Sequence, residues 1–459
     1  MDFKNKKVLV IGLGKSGFEA AKLAKNAGAE VFVTEHNSDE VIHGKALVLK
    51  NQGIEVETGG HSKRFLKDIE LAVISPGISI EEPFIKENIL SSNIPMIGEI
   101  ELAFNLCKSN KIIAVTGTNG KSTVVELITH ILKKAGKKAV VCGNIGRPFS
   151  AACGEIDEDT VVVIEISSYQ LETIKKFKPA VSVILNITED HLDRYDSMRD
   201  YTLAKTRVFE NQGKKETCVL NLDDENTKAL LPYIKKTNVM PFSVSDKKTR
   251  CFVDAEKIIF KKDGRQIPVC SVKDLPFSGN HNISNTLASV SAVSFFMPVD
   301  LACKGIESFS PLDHRVQFVK NISGVDFMDD SKATNVEAVI KAIESLDKKI
   351  ILICGGRNKK NDFEKVKEAA VKKVKLAVAI GESKEEIAAV FNNSIKTEFA
   401  YSMPSAVKLA FDRAQAGDCV LLSPMCASFD MFKDYKDRGD CFKKAVFEIE
   451  REIKCVPKE

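Results

Sequence analysis

Short apolar runs alternate with helical patterns along the whole chain, and this alternation constrains the fold more than any other feature of the sequence. The runs "KVLVIG", "KIIAVTG" and "KKIILICGG" are each followed by a stretch with helical periodicity. Alternation of this kind is typical of α/β units that form parallel sheets. The chain has 459 residues, which is enough for roughly two to four domains of ordinary size. We therefore predict a multidomain α/β protein.

The predicted elements fall into three groups, which we interpret as three α/β domains. The first group covers residues 1–98, the second residues 99–306 and the third residues 307–459. The second group opens with a predicted helix, "EIELAFNL", and a further helix follows its first glycine loop as far as about Ala135. Residues 211–275 are polar, and there the predicted strands are shorter and the pattern is less clear.

Composition excludes several classes of protein. The 67 basic and 63 acidic residues leave a net charge of only +4, so no general electrostatic attraction to nucleic acid or to an acidic membrane is expected. Twelve cysteines occur singly, without a CxxC pair, which favours reduced, buried thiols in a cytosolic protein over disulfides or a zinc site. The first apolar stretch is short and is predicted to be a strand rather than a signal peptide. No apolar run reaches the length of a transmembrane helix, and we expect none.

The segment "TGTNGKST" has the form of a phosphate-binding loop. It follows the strand "KIIAVTG" and precedes a helix, and the backbone N–H groups of such a turn attract phosphate oxygens. Lys121 can reach the β- and γ-phosphates of a nucleotide, and Ser122 can offer its hydroxyl to Mg²⁺. Val115 stands where the standard pattern has its first glycine, so the loop is a shortened variant. The strand–loop–helix setting disfavours an accidental glycine turn.

A second glycine turn, "GLGKSG", lies near the start of the chain. Gly12, Gly14 and Gly17 form a complete G-x-G-x-x-G after a strand, and Glu35 ends the next strand. This spacing is close to the dinucleotide-binding fingerprint. Taken alone, the motif fits NAD and other nucleotides equally well, so an NAD-dependent oxidoreductase is a rival interpretation.

Three further residues are candidates for phosphate chemistry. Glu165 ends a predicted buried strand, where its charge needs a partner such as Mg²⁺ or a structural cation. His191 follows another strand end, where ligands gather in α/β sheets, although a lone histidine is more often structural. Lys205 lies on an apparent helix among apolar residues, and by itself it fits a surface lysine with a buried stem.

Polar clusters later in the chain indicate a second substrate site. The three asparagines of "GNHNISN" lie around a predicted helix start, and taken alone they are compatible with helix capping and nothing more. The junction "DDSKATN" carries more polar groups than capping needs, and Ser428 lies in a polar turn after a strand. A phosphate loop, candidate Mg²⁺ ligands and a separate lysine and threonine site together favour phosphoryl transfer coupled to a second substrate.

The ordered motifs "TGTNGKST", "EISSYQLE", "NITEDHLDRY", "AKTRVF", "GNHNISN", "HR" and "DDSKATN" resemble those of the Mur ligase family of peptidoglycan synthesis. The resemblance covers essentially the whole chain. It implies a Rossmann-like N-terminal domain, a central P-loop-type ATP-binding domain and a Rossmann-like C-terminal domain. The run "DSKATN" resembles the members that add D-glutamate, whereas members that add other amino acids typically carry a "DYAH" or "DDYNANP" type of run.

The resemblance also implies a reaction. The L-alanine carboxylate of UDP-N-acetylmuramoyl-L-alanine would attack the γ-phosphate of ATP, and the amine of D-glutamate would then displace phosphate from the acyl phosphate. On this interpretation "GTNGKST" holds ATP, and the "GLGKSG" domain binds UDP rather than NAD. The expected protein is a cytoplasmic monomer with ATP and two Mg²⁺ ions. Another Mur-type or folylpolyglutamate-type amide ligase, and a catalytically silent nucleotide-binding regulator, remain alternatives.

The resemblance assigns site residues by their match to the family motifs. The ATP contacts would be Gly117, Thr118, Asn119, Gly120, Lys121, Ser122, Thr123, Asn282, Asn285, Arg315 and Asp330. The contacts to the UDP-linked substrate would be Gly14, Lys15, Ser16, Gly17, Glu35, Ser75, Pro76, Gly77, Asn144 and Ser167. The D-glutamate contacts would be Lys332, Thr334, Lys359, Ser428 and Tyr435.

The metal ligands implied by the resemblance are Ser122, Glu165, His191 and Lys205, the last as a CO₂-derived carbamate. The implied catalytic residues are Lys121, Glu165, His191, Lys205 and Lys332. One departure from the family pattern is the run Arg357-Asn358-Lys359, where relatives often have an acidic residue. The run therefore lacks the carboxylate that such an acid would bring to the site.

Overall fold

The computed structural model describes residues 2–144, 146–190, 194–277, 279–310, 313–359, 361–392 and 394–455. For residues 454 and 455 it describes the backbone alone. The chain forms two compact units. The first consists of Met1–Ile187, Arg199–Asp274 and Ser284–Phe309. The second consists of Thr188–Met198, Leu275–Ile283 and Ser310–Glu459.

The first sheet of unit one has five parallel strands. They are β1 (Lys7–Ile11), β2 (Glu30–Glu35), β3 (Glu55–Thr58), β4 (Leu71–Ile74) and β5 (Met96–Gly98), in the order β3-β2-β1-β4-β5. Its helices are α1 (Lys15–Asn26) and α2 (Glu40–Asn51). The order places the start of the chain at the centre of the sheet, as in Rossmann-like domains. The glycine turn therefore lies at the carboxyl edge of a central strand.

The second sheet of unit one has nine strands in the order β14-β13-β12-β11-β10-β9-β6-β8-β7. They are β6 (Ile112–Thr116), β7 (Ala139–Gly143), β8 (Val161–Glu165), β9 (Val181–Ile184), β10 (Thr217–Asn221), β11 (Asn238–Ser243), β12 (Cys251–Asp254), β13 (Lys257–Lys262) and β14 (Arg265–Ser271). The pairings β12–β13 and β13–β14 are antiparallel, whereas the other strands pair in parallel. The unclear segment 211–275 thus extends the sheet.

The helices after β5, up to the third sheet, are α3 (Glu99–Leu106), α4 (Lys121–Lys134), α5 (Phe149–Ala152), α6 (Ser168–Leu171), α7 (Met198–Thr206), α8 (Glu225–Lys228), α9 (Asn280–Val293) and α10 (Ala302–Glu307). Helix α4 buries Leu127, Ile128, Ile131 and Leu132 on one face, which is the spacing expected of an amphipathic helix packed on a sheet. The strands β6 and β8 are buried throughout. Because both are buried, the loops at their carboxyl ends are held on a rigid base.

The third sheet belongs to unit two. Its strands are β15 (Gln317–Ile322), β16 (Val325–Asp329), β17 (Ile350–Gly355), β18 (Val374–Ile380), β19 (Lys396–Phe399) and β20 (Cys419–Leu422), in the order β15-β16-β20-β17-β18-β19. Its helices are α11 (Val336–Ser345), α12 (Lys367–Lys373), α13 (Lys384–Phe391), α14 (Met403–Arg413) and α15 (Tyr435–Cys455). Apart from the antiparallel strand β15, the sheet is parallel. Hydrophobic clusters cover both of its faces.

Two expectations about composition can be compared with this structure. The cysteines whose side chains the structure describes are free thiols, and most are buried, but Cys107, Cys303 and Cys441 are partly exposed. Within the described part of the chain, no helix is long and apolar enough to cross a membrane. The prediction of three α/β sheets with parallel strands is confirmed.

Candidate functional site

The loop between β6 and α4, here called the 117–120 loop, needs glycine at two positions. Gly117 and Gly120 have positive φ angles of 150° and 86°, which residues with a Cβ rarely adopt. Asn186, which follows β9, holds this loop in place. Its backbone carbonyl accepts from Thr118 N at 2.9 Å, and its side-chain oxygen accepts from Asn119 N at 2.8 Å. Sequence reasoning missed Asn186, although its position after a strand was a usable signal.

Lys121 lies over the same loop. Its ammonium donates to the carbonyl oxygens of Gly117 at 2.9 Å and Thr118 at 2.7 Å. The residue is half-buried, so the interpretation as an exposed lysine on an accidental turn does not hold. Asn285 also borders the loop, because a Cβ on Gly120 would lie 2.5 Å from its side-chain oxygen.

A buried hydroxyl–carboxylate pair stands beside the 117–120 loop. Ser122 Oγ donates to Glu165 Oε2 at 2.7 Å, and Asn144 Nδ2 donates to Glu165 Oε1 at 3.0 Å. Glu165 ends β8 and is only 3% exposed. Hydroxyl and carboxylate oxygens are ligands that Mg²⁺ prefers, so this pair fits a magnesium ion. The described residues contain no group of three or more His, Cys, Asp and Glu side chains suited to a metal.

Lys205 is buried next to the same loop, contrary to its interpretation as a surface lysine. It is 2% exposed, and its Nζ donates to the carbonyl oxygen of Gly117 at 3.0 Å. The ring of Tyr201 lies 4.4 Å from this nitrogen, and the Tyr201 hydroxyl is 3.2 Å from Thr118 Oγ1. The structure therefore joins Lys121 and Lys205 at one loop. His191, predicted as a metal ligand, lies outside the described residues.

The N-terminal glycine turn is closely packed on one side and open on the other. A Cβ on Gly17 would lie 1.9 Å from the carbonyl oxygen of Gly12, whereas one on Gly14 would meet no atom within 4 Å. Ser75 Oγ donates to the same Gly12 carbonyl at 3.2 Å. The turn thus brings α1 against β1 and leaves the backbone at Gly14 accessible, as a phosphate-binding turn requires.

Glu35 closes this turn from the neighbouring strand. Its two carboxylate oxygens accept from Leu13 N at 2.6 Å and Asn37 N at 2.8 Å. The first contact stabilises the glycine turn and the second stabilises the segment that follows β2, so Glu35 has a structural task in addition to the predicted substrate contact. The side chain of Lys15 donates to the carbonyl oxygen of Gly146.

The remaining residues predicted to contact the UDP-linked substrate are more dispersed. Ser16 lies in the first turn of α1, and Pro76 and Gly77 follow β4. Ser167 is the N-cap of α6 and forms a capping box with Gln170. Its hydroxyl therefore already has a structural role.

The carboxyl ends of β16, β17 and β20 carry the residues predicted for the acceptor. Lys332 Nζ lies 5.3 Å from the centre of the Tyr435 ring. The backbones of Arg357 and Ala427 pair through hydrogen bonds of 2.9 and 3.0 Å, which brings the segments of Lys359 and Ser428 side by side. Ser428 is buried, and Thr334 and Lys359 are half-buried. The structure thus gathers these side chains at one edge of the third sheet.

Asp330 is buried at the same edge. Ser423 Oγ donates to its Oδ2 at 2.7 Å, and Val316 N donates to its Oδ1 at 3.2 Å. Burial raises the pKa of this carboxyl to about 7, although the hydrogen bonds and the charge of Arg315 oppose the change. Asp330 and Asn282 are both predicted to contact ATP. Asn282 lies in the first turn of α9 and belongs to unit two.

Two groups in unit two were not found by sequence reasoning. His314 Nδ1 lies 2.7 Å from Oδ2 of the fully buried Asp329. Arg438 on α15 is 1% exposed, yet it stands in a charged segment typical of a helix surface.

The run Arg357-Asn358-Lys359, which departs from the family pattern, forms contacts with two glutamates. Arg357 pairs with Glu382 at 3.0 and 2.8 Å, and Asn358 Nδ2 contacts Glu386 at 3.1 Å.

Comparison with known families gives three matches in chain order. Residues 6–98 match the "Mur ligase MurD-like, N-terminal domain", residues 115–293 the "Mur ligase middle domain" and residues 314–426 the "Mur ligase, glutamate ligase domain". The solved Mur ligases include MurC from Thermotoga maritima, with TM-score 0.61 and 19% identity over 97% of this chain and 99% of that one. MurF from the same organism in complex with ADP has TM-score 0.60 and 16% identity, with coverage of 97% and 96%.

Curated relatives are more similar in sequence. A "UDP-N-acetylmuramoylalanine--D-glutamate ligase" of Caldicellulosiruptor bescii is 40% identical over 98% of this chain and 99% of its own. The protein of the same name from Caldicellulosiruptor saccharolyticus is 41% identical, with coverage of 98% and 100%. The chain belongs to the Mur ligase family of ATP-dependent ligases. Membership implies the use of ATP and Mg²⁺.

Proposed function

We propose that the chain joins D-glutamate to the L-alanine carboxylate of UDP-N-acetylmuramoyl-L-alanine, at the expense of ATP, in peptidoglycan precursor synthesis. The observation that carries this proposal is the full-length similarity to relatives named for that reaction. The acceptor segment "DSKATN" supports it, because a dicarboxylate needs cations and hydroxyl or N–H donors.

The proposed reaction has two steps. A carboxylate oxygen of L-alanine attacks the γ-phosphorus of ATP, and ADP leaves. The deprotonated amine of D-glutamate then attacks the acyl carbon, and the tetrahedral intermediate expels inorganic phosphate. Activation is required because a free carboxylate is a poor acyl donor. Positioning and neutralisation of charge supply most of the rate enhancement in such sites.

The 117–120 loop is the proposed triphosphate site. Lys121 would exchange the carbonyl oxygens of Gly117 and Thr118 for phosphate oxygens, because the ammonium already lies on the loop. Ser122 and Glu165 are the proposed ligands of one Mg²⁺. The ion supplies neutralisation of the charge on the β- and γ-phosphates when bound. Asn282, Asn285, Arg315 and Asp330 remain predicted contacts of the adenosine.

Lys205 is proposed to carry a carbamate and, with His191, to bind a second Mg²⁺. The supporting observation is its burial beside the 117–120 loop. Burying an ammonium is costly, and CO₂ converts the amine into an anionic oxygen ligand suited to a metal. The ammonium of a surface lysine is solvated, so carbamate formation would relieve no burial cost there.

The domain division 1–98, 99–306 and 307–459 is also proposed. Its support is that each of the three sheets falls within one of these ranges. We further propose a monomer that works in the cytoplasm, which the free thiols favour. The "GLGKSG" turn is proposed to bind the UDP moiety.

The proposal is tested by phosphate release from ATP and Mg²⁺ in the presence of UDP-N-acetylmuramoyl-L-alanine. D-glutamate, L-glutamate, L-alanine and meso-diaminopimelate are offered in parallel. Turnover with D-glutamate alone is expected. Turnover with a different amino acid would move the chain elsewhere in the family, and no turnover despite ATP binding would favour a silent regulator. Binding of NAD(H) would revive the oxidoreductase interpretation.

A further inference from the structure

Arg438 is a fully buried arginine in the first turn of α15, where a buried charge is unusual. Its Nη2 donates to the carbonyl oxygens of Ser331 at 2.8 Å and Cys426 at 3.1 Å. Its Nε and Nη1 are buried and have no hydrogen-bond partner among the described residues. The guanidinium therefore donates its hydrogen bonds to neutral carbonyl oxygens, while the carboxylates of Asp430, Asp329 and Asp330 act on it through their charge.

This arrangement retains a positive charge inside the domain. Burial lowers the pKa of Arg438 to about 10, so the group is still protonated at neutral pH. Burying a charge costs free energy, which the nearby carboxylates of Asp430, Asp329 and Asp330 offset in part.

The guanidinium stands where three segments meet. Ser331 immediately precedes Lys332, and Cys426 lies in the same turn as Ser428. The third segment is the glycine turn after β17, because a Cβ on Gly356 would lie 3.2 Å from Arg438 Nη1. That turn leads into Lys359. The three segments in contact with Arg438 are thus the three that carry Lys332, Ser428 and Lys359.

We propose that Arg438 is a positioning residue of the acceptor site, which holds these three segments together and so fixes the places of Lys332, Ser428 and Lys359. The inference rests on the proposed function, since it concerns the site for D-glutamate. A guanidinium joins several carbonyl oxygens in a fixed planar geometry, so it holds the backbones that carry these side chains at set distances.

A purely structural role makes different predictions. If Arg438 only stabilised the fold, its replacement would lower the melting temperature and the amount of active enzyme, and the KM for D-glutamate would not change. If it positions the acceptor side chains, that KM rises while the KM for ATP and the formation of the acyl phosphate do not change.

Two full-length variants separate the charge from the hydrogen bonds. Arg438→Lys keeps the charge, and Arg438→Gln keeps an N–H donor without it. The control is Arg413→Gln, which replaces an exposed arginine paired with Glu398. Phosphate release gives kcat and the KM for D-glutamate and ATP, acyl phosphate is trapped in reactions without D-glutamate, and thermal unfolding reports folding.

The expected KM for D-glutamate rises about tenfold or more in Arg438→Gln and less in Arg438→Lys, in line with the usual strength of charged contacts. The control and the first half-reaction should change less than about twofold. An unchanged KM for D-glutamate in Arg438→Gln, with normal wild-type turnover, would overturn the role of Arg438 alone. Absence of wild-type turnover with D-glutamate would instead overturn the proposed function.

Discussion

Ser122 and Glu165 are joined by a hydrogen bond of 2.7 Å, which links the start of α4 to the end of β8. The second carboxylate oxygen of Glu165 accepts from Asn144 at 3.0 Å. Two strand ends and one helix start therefore orient a single carboxylate beside the 117–120 loop. An oriented, buried pair of hard oxygen ligands needs little rearrangement to take up Mg²⁺.

Replacement of Glu165 by glutamine should lower kcat for phosphate release by about a hundredfold or more, the usual cost of removing a preorganised electrostatic group. The amide keeps the size of the side chain and loses its negative charge, so the Mg²⁺ concentration needed for half-maximal activity should also rise. A magnesium titration of wild type and Glu165→Gln measures both effects. Glu225→Gln, at an exposed pair with Lys228, is the control. Equal kcat in both variants would remove Glu165 from the metal site.

Lys205→Ala should be nearly inactive, and short carboxylic acids should partly restore its activity. The added carboxylate would occupy the place of the proposed carbamate and supply the missing oxygen ligand. Lys121→Ala is the matched control, since its amine is proposed to act as an ammonium and an added carboxylate cannot replace it. The measurement is phosphate release with and without added formate or acetate. Full activity of Lys205→Ala would show that neither the amine nor its carbamate takes part.

Much of the architecture could be predicted because local pattern and global fold agree. The strand before Gly117 and the helix after Lys121 are both visible in the spacing of apolar residues. The segment 211–275 was less clear because its last strands are antiparallel. One face of an antiparallel sheet often meets solvent, so apolar and polar residues alternate along its strands and continuous apolar runs are short.

The site was harder to predict because burial depends on what packs opposite a residue. Lys205 and a surface lysine with an apolar stem give the same local pattern, and the burial of Lys205 and its contact with Gly117 distinguish the two. Arg438 stands among charged residues, and its helix spacing does not show that three segments close over it. Long-range contacts of this kind leave no local signal.

Gly17 and Gly14 should respond differently to the same added methyl group. In Gly17→Ala the Cβ would overlap the Gly12 carbonyl, which should reduce the free energy of unfolding by about 1–3 kcal/mol. In Gly14→Ala the methyl has open space, and φ is an ordinary −63°, so stability should change by less than about 1 kcal/mol. The KM for the UDP-linked substrate should nevertheless rise, because phosphate needs a close approach to that backbone.

Thermal unfolding and steady-state kinetics on the two glycine variants test this difference. Comparable melting temperatures for Gly17→Ala and wild type would contradict the packing argument. An unchanged KM in Gly14→Ala would contradict the assignment of the turn to the UDP moiety.

Loss of the proton of Asp330 should make unit two less stable as pH rises. Its pKa is about 7 in the folded chain against an ordinary 3.8, so between these values the folded state holds a proton that the unfolded state has lost. The free energy of unfolding therefore falls as pH increases through this window and stays at its lower value above about pH 7. Asp330→Asn removes the titration, and its melting temperature should fall less than that of wild type between about pH 5 and about pH 8. Since each pKa unit corresponds to about 1.4 kcal/mol, the fall in melting temperature should differ by several degrees between wild type and Asp330→Asn. Asp347→Asn, at an exposed position, should keep the wild-type pH profile, and the same profile in Asp330→Asn would show that burial does not perturb this carboxyl.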